Sequence, residues 1–136
     1  MRERRHARGV VDTSIVIELE RIDPGVLPAE LTISTVTLAE LAAGPHATTD
    51  ASERARRQDR LQRAEATLGA LAVDVGVARA YGRLFAAVAR AGRKARGRRA
   101  FDLMIAATAL ANDLPLYTRN AADFAGLGNL VDIVEV

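Results

Sequence analysis

The sequence predicts an α/β domain in which helices sandwich a short, mainly parallel β-sheet, giving three layers. Three observations lead there. Short apolar runs alternate with stretches of helical periodicity along the chain. Glycine and proline punctuate most of the joins. The 136 residues, 49% of them apolar, are enough for one core and too few for two, so residues 1–136 are read as a single domain.

Residues 9–12 (GVVD) form a short apolar run ending in a carboxylate, read as a strand. Thr13 and Ser14 stand where they can cap the helix IVIELE that follows. Asp23-Pro24-Gly25 and Pro28 mark a loop. Residues 31–34 read as a second strand, and TVTLAELAAG as a helix ending near Gly44-Pro45. Residues 50–69 form a long charged helix with a thin apolar stripe of Ala51, Ala55, Leu61, Ala64 and Leu68, so it should cover a core rather than fill it. Residues 71–75 read as a third strand. Val77, Tyr81, Leu84, Phe85 and Val88 recur at helical spacing within 75–91. Residues 90–99 are basic and broken by two glycines. The helix over 101–112 is apolar almost all round and is expected to be buried. Residues 115–118 form a strand, 121–125 a helical turn and 131–134 a last strand.

Composition removes several classes of chemistry. With no cysteine, thiol catalysis and cysteine-ligated zinc are excluded, and the absence fits a reducing compartment. The charged N-terminus is followed by no long apolar stretch, and no apolar run approaches a membrane span, so a soluble cytoplasmic protein without membrane contact is expected. His6 lies in a tail and His46 in a loop, with no pairing motif. Ser14 has no G-x-S-x-G elbow around it, and the glycines form neither a dinucleotide fingerprint nor a P-loop. Net charge is +2, and arginine supplies all but one of the nineteen cations, which is compatible with phosphate binding and equally with an Arg- and Ala-rich genome.

Four carboxylates stand apart. Asp12, Glu40, Asp102 and Asp123 each lie near an element end in apolar company. Any one of them could be a helix cap or an ion-pair partner. Taken together they point to a shared oxygen-rich site, because converging carboxylates repel one another until a cation relieves them. Oxygen ligands with little nitrogen favour Mg²⁺ or Mn²⁺ over Zn²⁺. In open parallel sheets, ligands sit beyond the carboxyl ends of the strands, which is where such residues would gather.

The strings VVDTS (residues 10–14), TVTLAEL (35–41), FDLMIAATAL (101–110) and LPLYTRNAADF (114–124), in that order, resemble the signature of the PIN-domain ribonucleases, specifically the VapC toxins of type II VapBC toxin–antitoxin systems. The resemblance covers nearly the whole chain and implies a PIN-like α/β/α sandwich. It further implies a Mg²⁺- or Mn²⁺-dependent endoribonuclease leaving 5′-phosphate and 3′-hydroxyl ends. Asp12 and Asp102 would be its principal ligands, with Glu40 and Asp123 supporting them or binding through water. Some relatives carry an acid where Asn120 stands, so Asn120 departs from that pattern. Thr13, Ser14, Thr118 and Asn120 would contact phosphate or orient the ligands, or else serve only as cap and turn residues. A homodimer and a small VapB-like antitoxin partner are implied as well.

The basic segment just before Asp102 contributes Arg93, Lys94, Arg96, Arg98 and Arg99 as candidates for holding an RNA backbone, against the plainer reading of a solvated loop. Two other classes compete with the nuclease. One is a non-cleaving PIN-like module that binds RNA or protein, against which the four intact acids argue. The other is a metal-dependent phosphatase, for which Asp12-Thr13-Ser14 lacks the second aspartate two residues on.

Overall fold

The computed structural model describes residues 6–93 and 97–136. Five parallel strands, β1 (Arg8–Val11), β2 (Glu30–Ser34), β3 (Gly69–Leu71), β4 (Leu116–Thr118) and β5 (Ile133–Glu135), form one sheet in the order β3-β2-β1-β4-β5. Five α-helices connect them: α1 (Thr13–Ile17), α2 (Thr35–Ala43), α3 (Ala51–Thr67), α4 (Val75–Arg90) and α5 (Arg98–Ala111). The expected α/β class is therefore present, with every strand pairing parallel.

The sheet has apolar clusters on both faces, as a parallel sheet requires. On one side Val10 and Leu116 meet Val77, Leu84 and Val88 of α4 and Leu103, Ile105 and Ala109 of α5. On the other, Val11, Ile33 and Tyr117 meet Ile15, Leu41 and Ala64. Successive residues Val10 and Val11 thus serve opposite layers, the two-residue alternation of a strand.

Several boundaries differ from the sequence expectation, each for a local reason. Asp12, and not Thr13 or Ser14, caps α1, because its own carboxylate accepts from the Ile15 N–H. The helix then ends at Ile17, and Leu19–Arg21 continue as a 3₁₀ turn. The third strand is 69–71 and not 71–75, since Asp74 turns the chain out of the sheet by capping α4. The last strand is 133–135 and not 131–134: Val131 N–H still bonds back to Leu127 in the preceding turn. Helix α5 begins one turn before Phe101. Gly97 adopts φ +56° there, a left-handed conformation suited to glycine, and Arg98-Arg99-Ala100 are good helix formers.

The expected burial also needs correction at exposed apolar positions. Ala51 and Ala55 face solvent, so the buried part of α3 is confined to Ala64 with Leu61 and Leu68 beside it. Phe85 is exposed, and Ala80 takes its place on the buried face of α4. Phe101 is 54% exposed, so α5 is not apolar-in all round: its first turn projects, and burial starts at Leu103.

Candidate active site

Strand order sets the position of the site. The chain moves outward from β1 to β2 and β3, then returns to lay β4 on the other side of β1. The crevice past the carboxyl ends of β1 and β4 is thus the topological switch point, where open parallel sheets bind their ligands. Asp12 follows β1 directly, and Thr118 ends β4.

Asp12 is buried, and both of its oxygens are held. Oδ1 accepts from Ser14 Oγ at 2.6 Å and from the Ile15 N–H at 3.2 Å. Oδ2 accepts from Thr118 Oγ1 at 2.6 Å. These bonds satisfy a buried charge and lock its rotamer. Thr13 Oγ1 donates to Glu40 Oε1 at 2.8 Å and lies 3.1 Å from Thr37 Oγ1, which orients the Glu40 carboxylate in the second turn of α2. Sequence reasoning missed Thr37. It lies three residues before Glu40 on one helix face, and that spacing is the signal that could have found it.

Asp102 sits half-buried early in α5. Its pKa is pushed up to about 6, first by burial and then by the charge of Asp123; Arg98 opposes the rise, and Asp12 and Glu40 add to it. The other three carboxylates therefore act electrostatically on Asp102 although they come from separate segments. Asp123 is exposed, in a 3₁₀ turn over Ala121–Phe124. Asn120 is exposed and precedes that turn, with its N–H donating to Thr118 Oγ1 at 3.0 Å. Among the described residues, no three acidic or histidine side chains stand close enough to clasp one ion directly. The donor set is nonetheless oxygen-rich, with hydroxyls pinning the carboxylates, and it suits a hard divalent cation.

Of the basic candidates, Arg93, Arg98 and Arg99 are exposed, and Arg98 reaches Asp102 electrostatically. Lys94 and Arg96 lie outside the described residues. A separate groove of about 230 Å³ runs between α1 and α3, lined by Val16, Leu19, Ala64 and Leu68 with Arg56, Arg60 and Arg63, and contains none of the four carboxylates.

An all-parallel 3-2-1-4-5 sheet with the buried Asp12 at its switch point defines a class. The PIN-domain family matches residues 9–129, and the chain belongs to that family. Within it the chain is a VapC-type ribonuclease. It is 37% identical to Ribonuclease VapC5 of Mycobacterium tuberculosis over 135 residues, 96% of each sequence. The crystal structure of VapBC-5, a toxin–antitoxin member from the same organism, superposes with a TM-score of 0.84, covering 96% of this chain and 99% of that one. VapBC2 from Rickettsia felis, solved with a promoter DNA fragment, shares the fold at a TM-score of 0.76 and 21% identity, covering 95% of this chain and 98% of that one.

Proposed function

We propose that this chain cleaves RNA at the switch-point crevice, with Asp12 and Asp102 as principal holders of Mg²⁺ or Mn²⁺ and Glu40 and Asp123 completing the acidic cage. The observation that carries the reading is Asp12: a buried carboxylate held by two hydroxyls at the crevice, whose charge acts on Asp102 together with those of Asp123 and Glu40. When bound, a divalent ion supplies charge neutralisation and electrophilic assistance to phosphodiester hydrolysis.

The chain's own groups prepare the site for that role. Ser14 and Thr118 fix the Asp12 carboxylate, so little ordering remains when a ligand arrives. Thr13 does the same for Glu40. Arg98 tempers the repulsion at Asp102 and, with Arg93 and Arg99, offers cations to the phosphates of the incoming strand. Lys94 and Arg96 would extend that basic surface. Asn120 and Thr118 shape the rim of the crevice.

The structural neighbours are toxin–antitoxin assemblies, which supports a VapB-like antitoxin as the partner that silences the site. Val75, Phe85 and Phe101 leave apolar surface on α4 and α5 suited to a second copy in a homodimer. No helix among the described residues is long and apolar enough to cross a membrane, in keeping with action on cytoplasmic RNA.

Asp12→Asn and Asp102→Asn keep shape but remove one negative charge each. Both folded variants should lose Mg²⁺-dependent cleavage of RNA and the growth arrest it causes in cells. Full cleavage by both would overturn the metallonuclease reading.

A further inference from the structure

The loop that carries Asp123 is held by three consecutive backbone N–H groups, each donating to a side-chain oxygen from a different strand or helix. Arg119 N–H donates to Ser14 Oγ of α1 at 3.3 Å. Asn120 N–H donates to Thr118 Oγ1 of β4 at 3.0 Å. Ala121 N–H donates to Glu135 Oε2 of β5 at 3.0 Å. The first two acceptors are the hydroxyls that also donate to Asp12, so they couple the loop to that carboxylate. The third is a carboxylate that nothing above assigns to the site. The register makes the contact possible: Glu135 pairs with Thr118 across the β4–β5 ladder, and Val136 N–H returns a bond to the Thr118 carbonyl.

We infer that Glu135 is a positioning residue for Asp123, acting through the Ala121 N–H that opens the 3₁₀ turn. Asp123 lies two residues beyond Ala121, and its own N–H bonds back to the Asn120 carbonyl, so the turn moves as a unit. Glu135 is exposed, and a carboxylate in that setting is normally a free solvated group. Here one oxygen is engaged by the backbone of the turn that carries Asp123. Groups that fix the segment carrying an ion's ligand affect how tightly the ion is held, and Glu135 does so through the backbone two residues before Asp123.

The inference rests on the proposed cation site, and its test separates the two. Mn²⁺ binding to the purified protein is followed by calorimetry and by the rise in melting temperature on adding Mn²⁺, alongside KM for an RNA oligonucleotide. Glu135→Ala should weaken Mn²⁺ binding about 3- to 10-fold with KM for RNA unchanged. Glu135→Gln retains a carbonyl acceptor for Ala121 N–H and should bind Mn²⁺ within about 2-fold of the parent, in keeping with a retained hydrogen bond. Ala121→Pro removes the donor instead, at a first helical position that proline tolerates, and should match the loss in Glu135→Ala. The two changes combined should add nothing further, since both break one contact. Parent-like Mn²⁺ affinity in Glu135→Ala, or a Gln variant as impaired as the Ala variant, would overturn the inference. If Glu135→Ala fails to fold, the Gln and Pro variants decide by the same criteria. Asp12→Asn is the control: if it too binds Mn²⁺ normally, the cation site itself fails, and the role of Glu135 falls with it.

Discussion

Thr118 Oγ1 donates to Asp12 Oδ2 at 2.6 Å while accepting from the Asn120 N–H at 3.0 Å, so one buried hydroxyl ties the ends of two adjacent strands to the loop beyond them. Thr118→Val keeps the shape and removes both bonds. It should cost about 1–3 kcal/mol, the penalty for leaving buried polar groups unpaired, and should lower cleavage as Asp12 loses its fixed orientation. Thr118→Ser should restore both. Urea unfolding and RNA cleavage on the two variants check this; a Val variant as active as the Ser variant would contradict it.

Asp102 gives a pH dependence with a defined sign. Its pKa is about 6 in the folded chain against an ordinary 3.8, so the folded state binds that proton more tightly than the unfolded state. Its favourable contribution is complete below about 4 and is lost as pH rises through 6. Asp102→Asn removes this dependence. Without divalent ions, the variant should be more stable than the parent at pH 7, on the order of 1 kcal/mol after solvent screening, and the gap should close toward pH 4. Thermal melts across that range, in chelator, measure the gap. A gap that widens on acidification would refute the assignment.

Arg98 and Arg99 bear on RNA through charge. Replacing both with glutamate should weaken binding most at low salt and flatten the dependence of log Kd on log salt, because fewer counterions are released. Arg98→Ala alone should move the acidic limb of the cleavage profile to higher pH, since Arg98 holds the Asp102 pKa down. An unchanged salt slope in the double variant would remove these residues from the RNA surface.

Gly9 lies under the Tyr117 ring. A Cβ there would come within 2.9 Å of Tyr117 Cε1 and 3.2 Å of Pro28 Cγ, so Gly9→Ala overpacks the centre of the sheet. The expected cost is about 1–3 kcal/mol, read as a lower melting temperature, with cleavage per folded molecule retained. A variant as stable as the parent would show that the ring shifts freely.

The sequence showed the alternation of strand and helix and the parallel sheet because both faces are buried, leaving short apolar runs such as residues 9–11, with Leu31 and Ile33 marking the second strand. It showed Asp12 and Asp102 because a charge inside an apolar run is conspicuous. It did not show the limits of β3 and β5, which are set by a cap at Asp74 and a turn at Val131 rather than by hydropathy. Nor did it show that Phe85 and Phe101 face outward, since an apolar residue at a helix edge reads the same whether it meets a core or solvent. Glu135 was invisible for a different reason. Its role depends on which strand lies beside β4, and no local pattern encodes that pairing.

The placement of β1 between β2 and β4 has a consequence for folding. Val10 must wait for Leu116 and Val11 for Tyr117, and the Asp12–Thr118 bond closes a separation of 106 residues. Pairings so distant in sequence form late in folding and carry a large loop-closure cost. A chain that has formed β1, α1, β2 and α2 holds Asp12 Oδ1 through Ser14 and Ile15 but still lacks the partner of Oδ2. The assembled crevice is therefore a property of the finished fold: a chain that has not yet docked β4 lacks Thr118, and with it the bond that fixes Asp12 Oδ2.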